Sequence, residues 1–142
     1  ILRKLISKEP FDIDNYSWLS TCLMLRGKTA DAEAAARQGI DAVMRIHRSE
    51  DSIVRPDHLC QYGFLMFLSG DRKRGFEILD RVRDMHPCYD RICSRCYEVY
   101  TALGVCYALD GRLAESEAAF AASLEIRPHN AVCRALAGQL CR

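Results

Sequence analysis

Tyr97 to Asn130 reads YEVYTALGVCYALDGRLAESEAAFAASLEIRPHN, 34 residues in which helical spacing occurs twice around a central glycine. Tyr100, Leu103 and Tyr107 recur at the steps of one helix face, and Leu113, Phe120 and Leu124 do so again beyond Gly111. Two amphipathic helices are therefore predicted, each burying one stripe, with LDGRL as the turn between them. Gly104 and the small Ser116 let the two backbones approach, and Pro128 ends the second helix near Arg127.

The same ruler fits earlier segments. With Tyr97 as position 1, Tyr100, Leu103, Gly104 and Tyr107 fall at positions 4, 7, 8 and 11, Gly111 at 15, Phe120 at 24 and Pro128 at 32. From Pro56 to Tyr89, Leu59, Tyr62, Gly63 and Met66 occupy 4, 7, 8 and 11, with Gly70, Gly75, Leu79 and Pro87 at 15, 20, 24 and 32. From Ile13 to Ile46, Tyr16, Leu19, Ser20 and Leu23 fill the first helix, Gly27 the turn, and Ala32, Ala36 and Gly39 the small positions. Met44 replaces the proline in that copy, so its second helix is expected to run on.

This pattern resembles the tetratricopeptide repeat, a 34-residue helix-turn-helix unit with a large residue, Leu-Gly, Tyr, small residues, an aromatic and Pro at fixed places. Ser116 and Ser123 stand where that family prefers Ala. The resemblance implies an all-α, right-handed solenoid of helical hairpins: three full repeats (13–46, 56–89, 97–130) flanked by partial units (1–12 and 131–142) in one superhelical domain, 1–142. Pro10 and Gly138 keep the frame at either end, and the chain opens without methionine, so an excerpt of a longer array is expected. Two insertions, His47 to Arg55 and Asp90 to Cys96, interrupt the period and are expected to lengthen the flanking helices.

Composition narrows the function classes. The chain of 142 residues is 49% apolar and 27% charged, which places it among ordinary soluble domains. No apolar run approaches the ~20 residues of a membrane span. Twenty Lys and Arg against nineteen Asp and Glu leave a net charge of +1, and the basic run Arg72-Lys73-Arg74 is followed by Glu77, Asp80 and Asp84. A solvated helix face explains it, and no nucleic acid is expected as a partner. Eight cysteines without a secretory leader suggest an intracellular, reducing compartment, most simply the cytoplasm.

One cluster carries ligand chemistry. His86, Cys88, Cys93 and Cys96 lie within eleven residues and could form a tetrahedral zinc site. Asp90 is a good N-cap, however, and Ile92, Cys96, Val99 and Leu103 continue at helical spacing, so Cys93-x-x-Cys96 is expected inside a helix rather than in a metal-binding turn. Cys22 and Cys106 share position 10, where cysteine substitutes for a small packing residue. The cluster is accordingly expected to be metal-free. There is no phosphate loop, H-E-x-x-H or nucleophile elbow, so neither a cofactor nor catalysis is expected. His47, His58 and His129 stand isolated in the sequence.

In tetratricopeptide arrays the first helices line a concave surface through positions 2, 5, 9 and 12. Here those are Asp14, Ser17, Thr21 and Met24, then Asp57, Cys60, Phe64 and Phe67, then Glu98, Thr101, Val105 and Ala108. The resemblance implies an apolar groove with an acidic rim, without the Lys and Asn of the chaperone-tail clamp. Phe64 and Phe67 are then either covered by another part of the protein or anchors for a partner segment. The expected function is a non-catalytic scaffold that binds a protein or peptide segment within a larger assembly. A dedicated chaperone for an exported or unassembled client, like those of bacterial type III secretion, is the alternative. A small metal-binding regulatory module is the third.

Overall fold

The structure, a computed structural model, describes residues 3, 4, 8, 12–85 and 96–141. Seven α-helices have defined bounds: α1 (Ile13–Leu25), α2 (Thr29–His47), α3 (Pro56–Leu68), α4 (Arg72–Met85), α5 (Cys96–Leu109), α6 (Leu113–Ile126) and α7 (Ala131–Leu140). A single 3-10 turn at Glu50–Ser52 follows α2, and no strand occurs among the described residues. None of these helices is long and apolar enough to cross a membrane. Contacts divide the chain into two compact units, Ile1–Ile78 and Leu79–Arg142.

Three turns are built alike. Gly27, Gly70 and Gly111 all take left-handed φ, at +75°, +111° and +80°. Around each, the N–H three residues past the helix end reaches back to a carbonyl in its last turn: Lys28 to Leu23 at 2.9 Å, Asp71 to Met66 at 3.2 Å and Arg112 to Tyr107 at 2.8 Å. These are Schellman closures, which satisfy orphan carbonyls and need a residue without Cβ strain at the reversal. In every copy the same pair of positions, 16 and 11, makes the bond. The carbonyl at 16 then opens the next helix by accepting from Ala32, Gly75 and Ser116 at 2.9, 3.0 and 3.0 Å. Outside the turns, Asp12 caps α1, Pro56 occupies the first turn of α3 and Asn130 caps α7 by accepting from Cys133 N–H.

Small residues at positions 8 and 20 set the helix crossings. In α1/α2, Ser20 Oγ donates to the Ala32 carbonyl at 2.7 Å; in α5/α6 the roles reverse, and Ser116 Oγ donates to the Gly104 carbonyl at 2.6 Å. Both serines are fully buried, so each bond couples two backbones through one hydroxyl. In α3 and α4 both positions are glycine. A Cβ at Gly75 would lie 2.6 Å from the Phe67 Cβ and 2.7 Å from its backbone nitrogen, so α4 begins against the α3 main chain itself. Beyond the first and third hairpins the next helix covers both members: α3 contacts α1 and α2 in the first unit, and α7 contacts α5 and α6 in the second.

Positions 5 and 27 form a polar pair in one repeat and fail to do so in another. Thr101 Oγ1 and Ser123 Oγ are 2.7 Å apart, and both reach the Tyr97 carbonyl, at 2.8 and 3.0 Å. In α1 the corresponding hydroxyl is Ser17, 3% exposed, and position 27 is Gly39, which has no side chain to offer. Ser17 Oγ is left buried without a partner.

Several expectations change. Leu113 is 44% exposed rather than part of the buried stripe; it is the first residue of α6, beside the turn. Cys22 is exposed whereas its counterpart Cys106 is buried, so cysteine at position 10 has a packing role in α5 and not in α1. Residues of the first insertion lengthen α2 only to His47; Arg48, at φ +69°, ends the helix, and the chain continues through the 3-10 turn.

Two pairs of substitutions check this account by chemical or thermal denaturation. Gly111→Ala meets no atom within 4 Å yet forces alanine into left-handed backbone, and is expected to cost about 1 kcal/mol or more. Gly138→Ala, equally unobstructed but inside α7, should stabilise by about 0.5–1 kcal/mol. Ser17→Ala removes the orphan hydroxyl and should be neutral to stabilising, whereas Ser123→Ala breaks a satisfied buried pair and should cost about 1–2 kcal/mol.

Candidate functional site

The sequence-predicted groove residues are mostly interior. Ser17, Thr21, Cys60, Phe64, Phe67, Thr101 and Val105 are buried, with Phe67 at 2% exposed, while Met24, Asp57 and Ala108 are half-buried. Seven of the ten belong to the first unit; Thr101, Val105 and Ala108 belong to the second. Thr21 Oγ1 donates to the Ser17 carbonyl at 2.8 Å, and Thr101 belongs to the buried pair with Ser123. These are packing roles, not exposed contacts.

The two phenylalanines correct the anchor reading directly. Phe67 stands edge-on to Phe76 of α4, ring centroids 5.2 Å apart at 75°, and the Arg72 guanidinium lies 5.2 Å from its centroid. Together with its approach to Gly75, this makes Phe67 the joint between α3 and α4. Met66, assigned to the core stripe by position, is instead only half-buried. The cause is α3 itself, in which Leu59, Cys60, Tyr62, Phe64, Leu65, Phe67 and Leu68 are all buried, so its apolar residues fill more than one stripe.

A polar constellation does gather where α1, the end of α2 and the start of α3 meet. His47 Nε2 and His58 Nδ1 are 2.9 Å apart, correcting the reading of these histidines as isolated. Arg55 grips Asp57 with both ends of its guanidinium, Nε at 3.1 Å and a terminal nitrogen at 2.8 Å. Gln61 Nε2 donates to the Asp14 carboxylate. Asp14 and Asp57, both at position 2, are the rim carboxylates of the sequence reading.

The surroundings separate the two carboxylates. Withdrawal from solvent raises the Asp14 pKa above the ordinary carboxylate range, and repulsion from Asp12 and Asp57 adds to it against the Gln61 bond. Asp57 also loses solvation, but the Arg55 fork and the His58 backbone N–H outweigh that loss and hold it below the usual range. No signal in the sequence pairs His47 with His58, because they flank an insertion whose path is set by Arg48 and the 3-10 turn.

His86, Cys88, Asp90 and Cys93 lie outside the described residues, and Cys96 opens α5. Among the described residues, no group of three or more His, Cys, Asp or Glu is placed to hold a metal ion.

Phe67→Ala tests the packing assignment. Loss of the ring from the α3–α4 joint is expected to cost about 3–5 kcal/mol, read as a lower midpoint in urea. A cost below about 1 kcal/mol would return Phe67 to the surface.

Compared with known proteins, the chain matches no family model, no curated sequence and no solved structure. The likeness to tetratricopeptide repeats rests on the internal repeats of this chain.

Proposed function

We propose that this chain is a tetratricopeptide-like helical repeat module, a right-handed solenoid segment that binds a protein partner and performs no catalysis itself. One observation carries the reading: the same left-handed glycine turn, closed between positions 16 and 11, recurs in three copies of a 34-residue pattern. A chain that repeats one hairpin devotes its sequence to stacking and leaves the surface between copies for recognition.

The residues supporting a recognition surface are the accessible members of the groove set. In the first unit Asp14 and Asp57 place a carboxylate at position 2 of both repeats, while Met24, half-buried in α1, offers apolar contact. A basic, partly apolar partner segment suits that chemistry better than an aromatic-anchored one, because Phe64 and Phe67 are committed inside.

Affinity capture with the wild type and with Asp14→Lys/Asp57→Lys tests it, circular dichroism confirming that the variant remains helical. A stoichiometric partner that is retained by the wild type and weakened about ten-fold or more by the double reversal supports the scaffold reading. Transient, client-dependent capture of unfolded chains would favour the chaperone. Undiminished binding by a folded variant would remove the position-2 carboxylates from the interface.

A further inference from the structure

We propose that His47 and His58 form a proton-operated latch between α2 and α3, closed while at least one imidazole is neutral and opened when both are protonated. His47 is the last residue of α2 and His58 the third of α3, so the pair spans the junction between the first two repeats. Their facing nitrogens are 2.9 Å apart, and the rings meet edge-on with centroids 5.1 Å apart at 71°. An N–H···N bond needs one lone pair. Two neutral rings, or one neutral and one cationic ring, both keep the bond; a second proton sets two N–H groups head to head and adds like-charge repulsion.

The free amides of the first turn of α3 disfavour positive charge on His58. Either ring can donate according to its tautomer, Nε2–H of His47 to Nδ1 of His58 or the reverse, and each arrangement uses one proton and one lone pair.

Charged groups on α1, on α3 and at the end of the linking segment act on His58. Asp14 on α1 and Asp57 on α3 draw a proton toward His58, whereas Arg55 and His47 repel it. Asp57 is forked by Arg55 and Asp14 accepts from Gln61, so both carboxylates carry other bonds. Glu50 in the 3-10 turn is engaged by Arg74 and Tyr62. Desolvation, with Arg55 and His47, outweighs the carboxylates and leaves the His58 pKa below the ordinary imidazole value. A histidine depressed in the folded state contributes stability that is fully present above its unfolded pKa of about 6.5 and is lost as pH falls through the folded value. The latch accordingly opens on the acid side of neutrality.

Hydrogen exchange of the full chain, corrected for intrinsic rates and compared at about pH 7.5 and pH 5, reads the junction directly. The expected result is a loss of protection of about ten-fold or more in residues 43–62, with α5 to α7 unchanged. The double variant His47→Gln/His58→Asn places an amide Nε2–H and an Oδ1 where the two imidazole nitrogens lie, keeping the bond without a titrating group. It should hold its protection at both pH values. If that variant folds poorly, His58→Asn alone still presents a permanent acceptor to His47 and should also flatten the response. An equal acid-induced loss in the wild type and the variants, or no loss in the wild type, overturns the proposal.

Discussion

A reversal of chain direction at left-handed glycine is the constraint on which the other contacts depend. Each helix of a hairpin ends with carbonyls that its own backbone cannot satisfy, and burial of the apolar faces leaves little water to do so. The bond from position 16 to position 11 meets that need and fixes where the second helix starts. Once α2, α4 and α6 begin at that point, positions 8 and 20 are brought opposite each other and must be small. Ser20 with Ala32 and Gly104 with Ser116 are two solutions to that spacing, and Gly75, set against the main chain of Phe67, is a third. The serine versions add a hydrogen bond, and the glycine version brings α4 against the α3 main chain.

That closer approach has a consequence for recognition. With no side chain at Gly75, Phe67 descends onto α4, is flanked by Phe76 and Arg72, and is no longer available as an anchor. An aromatic anchor must be exposed before binding and buried after it. Among the position-2 and position-12 residues of α1 and α3, carboxylates and the thioether of Met24 stay accessible. The partner surface proposed for this unit would therefore select by charge and geometry more than by apolar area.

The hairpins were legible in the sequence because glycine and the small residues report directly on backbone geometry. Gly27, Gly70 and Gly111 identify the turns with the correct spacing, and Met44 in place of proline is followed by a helix that continues to His47. The inward face of α3 was not legible. Its run of Leu, Phe, Tyr and Met is apolar on every side, so periodicity carries no phase, and repeat position assigned Phe67 outward and Met66 inward when their burial is the reverse. The histidine pair was hidden for a different reason. His47 and His58 fall eleven residues apart, joined by a segment that belongs to neither helix and that turns at Arg48 with positive φ and again through the 3-10 turn.

How that segment is held shows which interactions govern the junction. Glu50 meets Arg74 and accepts from Tyr62, but the Arg74 and Glu50 side chains remain 36% and 24% exposed, and ion pairs in water contribute about 0–1 kcal/mol. Ile53, at 5% exposed, buries nearly its whole side chain, a contribution of about 1.5–3 kcal/mol. Its neighbour Val54 is 77% exposed, so a register slip of one residue would exchange an anchored side chain for a solvated one. The insertion is therefore fixed mainly by one apolar side chain, which does not titrate. The proton response proposed for the α2–α3 junction therefore falls to the histidine pair rather than to Ile53 or to Asp57, whose carboxyl the Arg55 fork holds low.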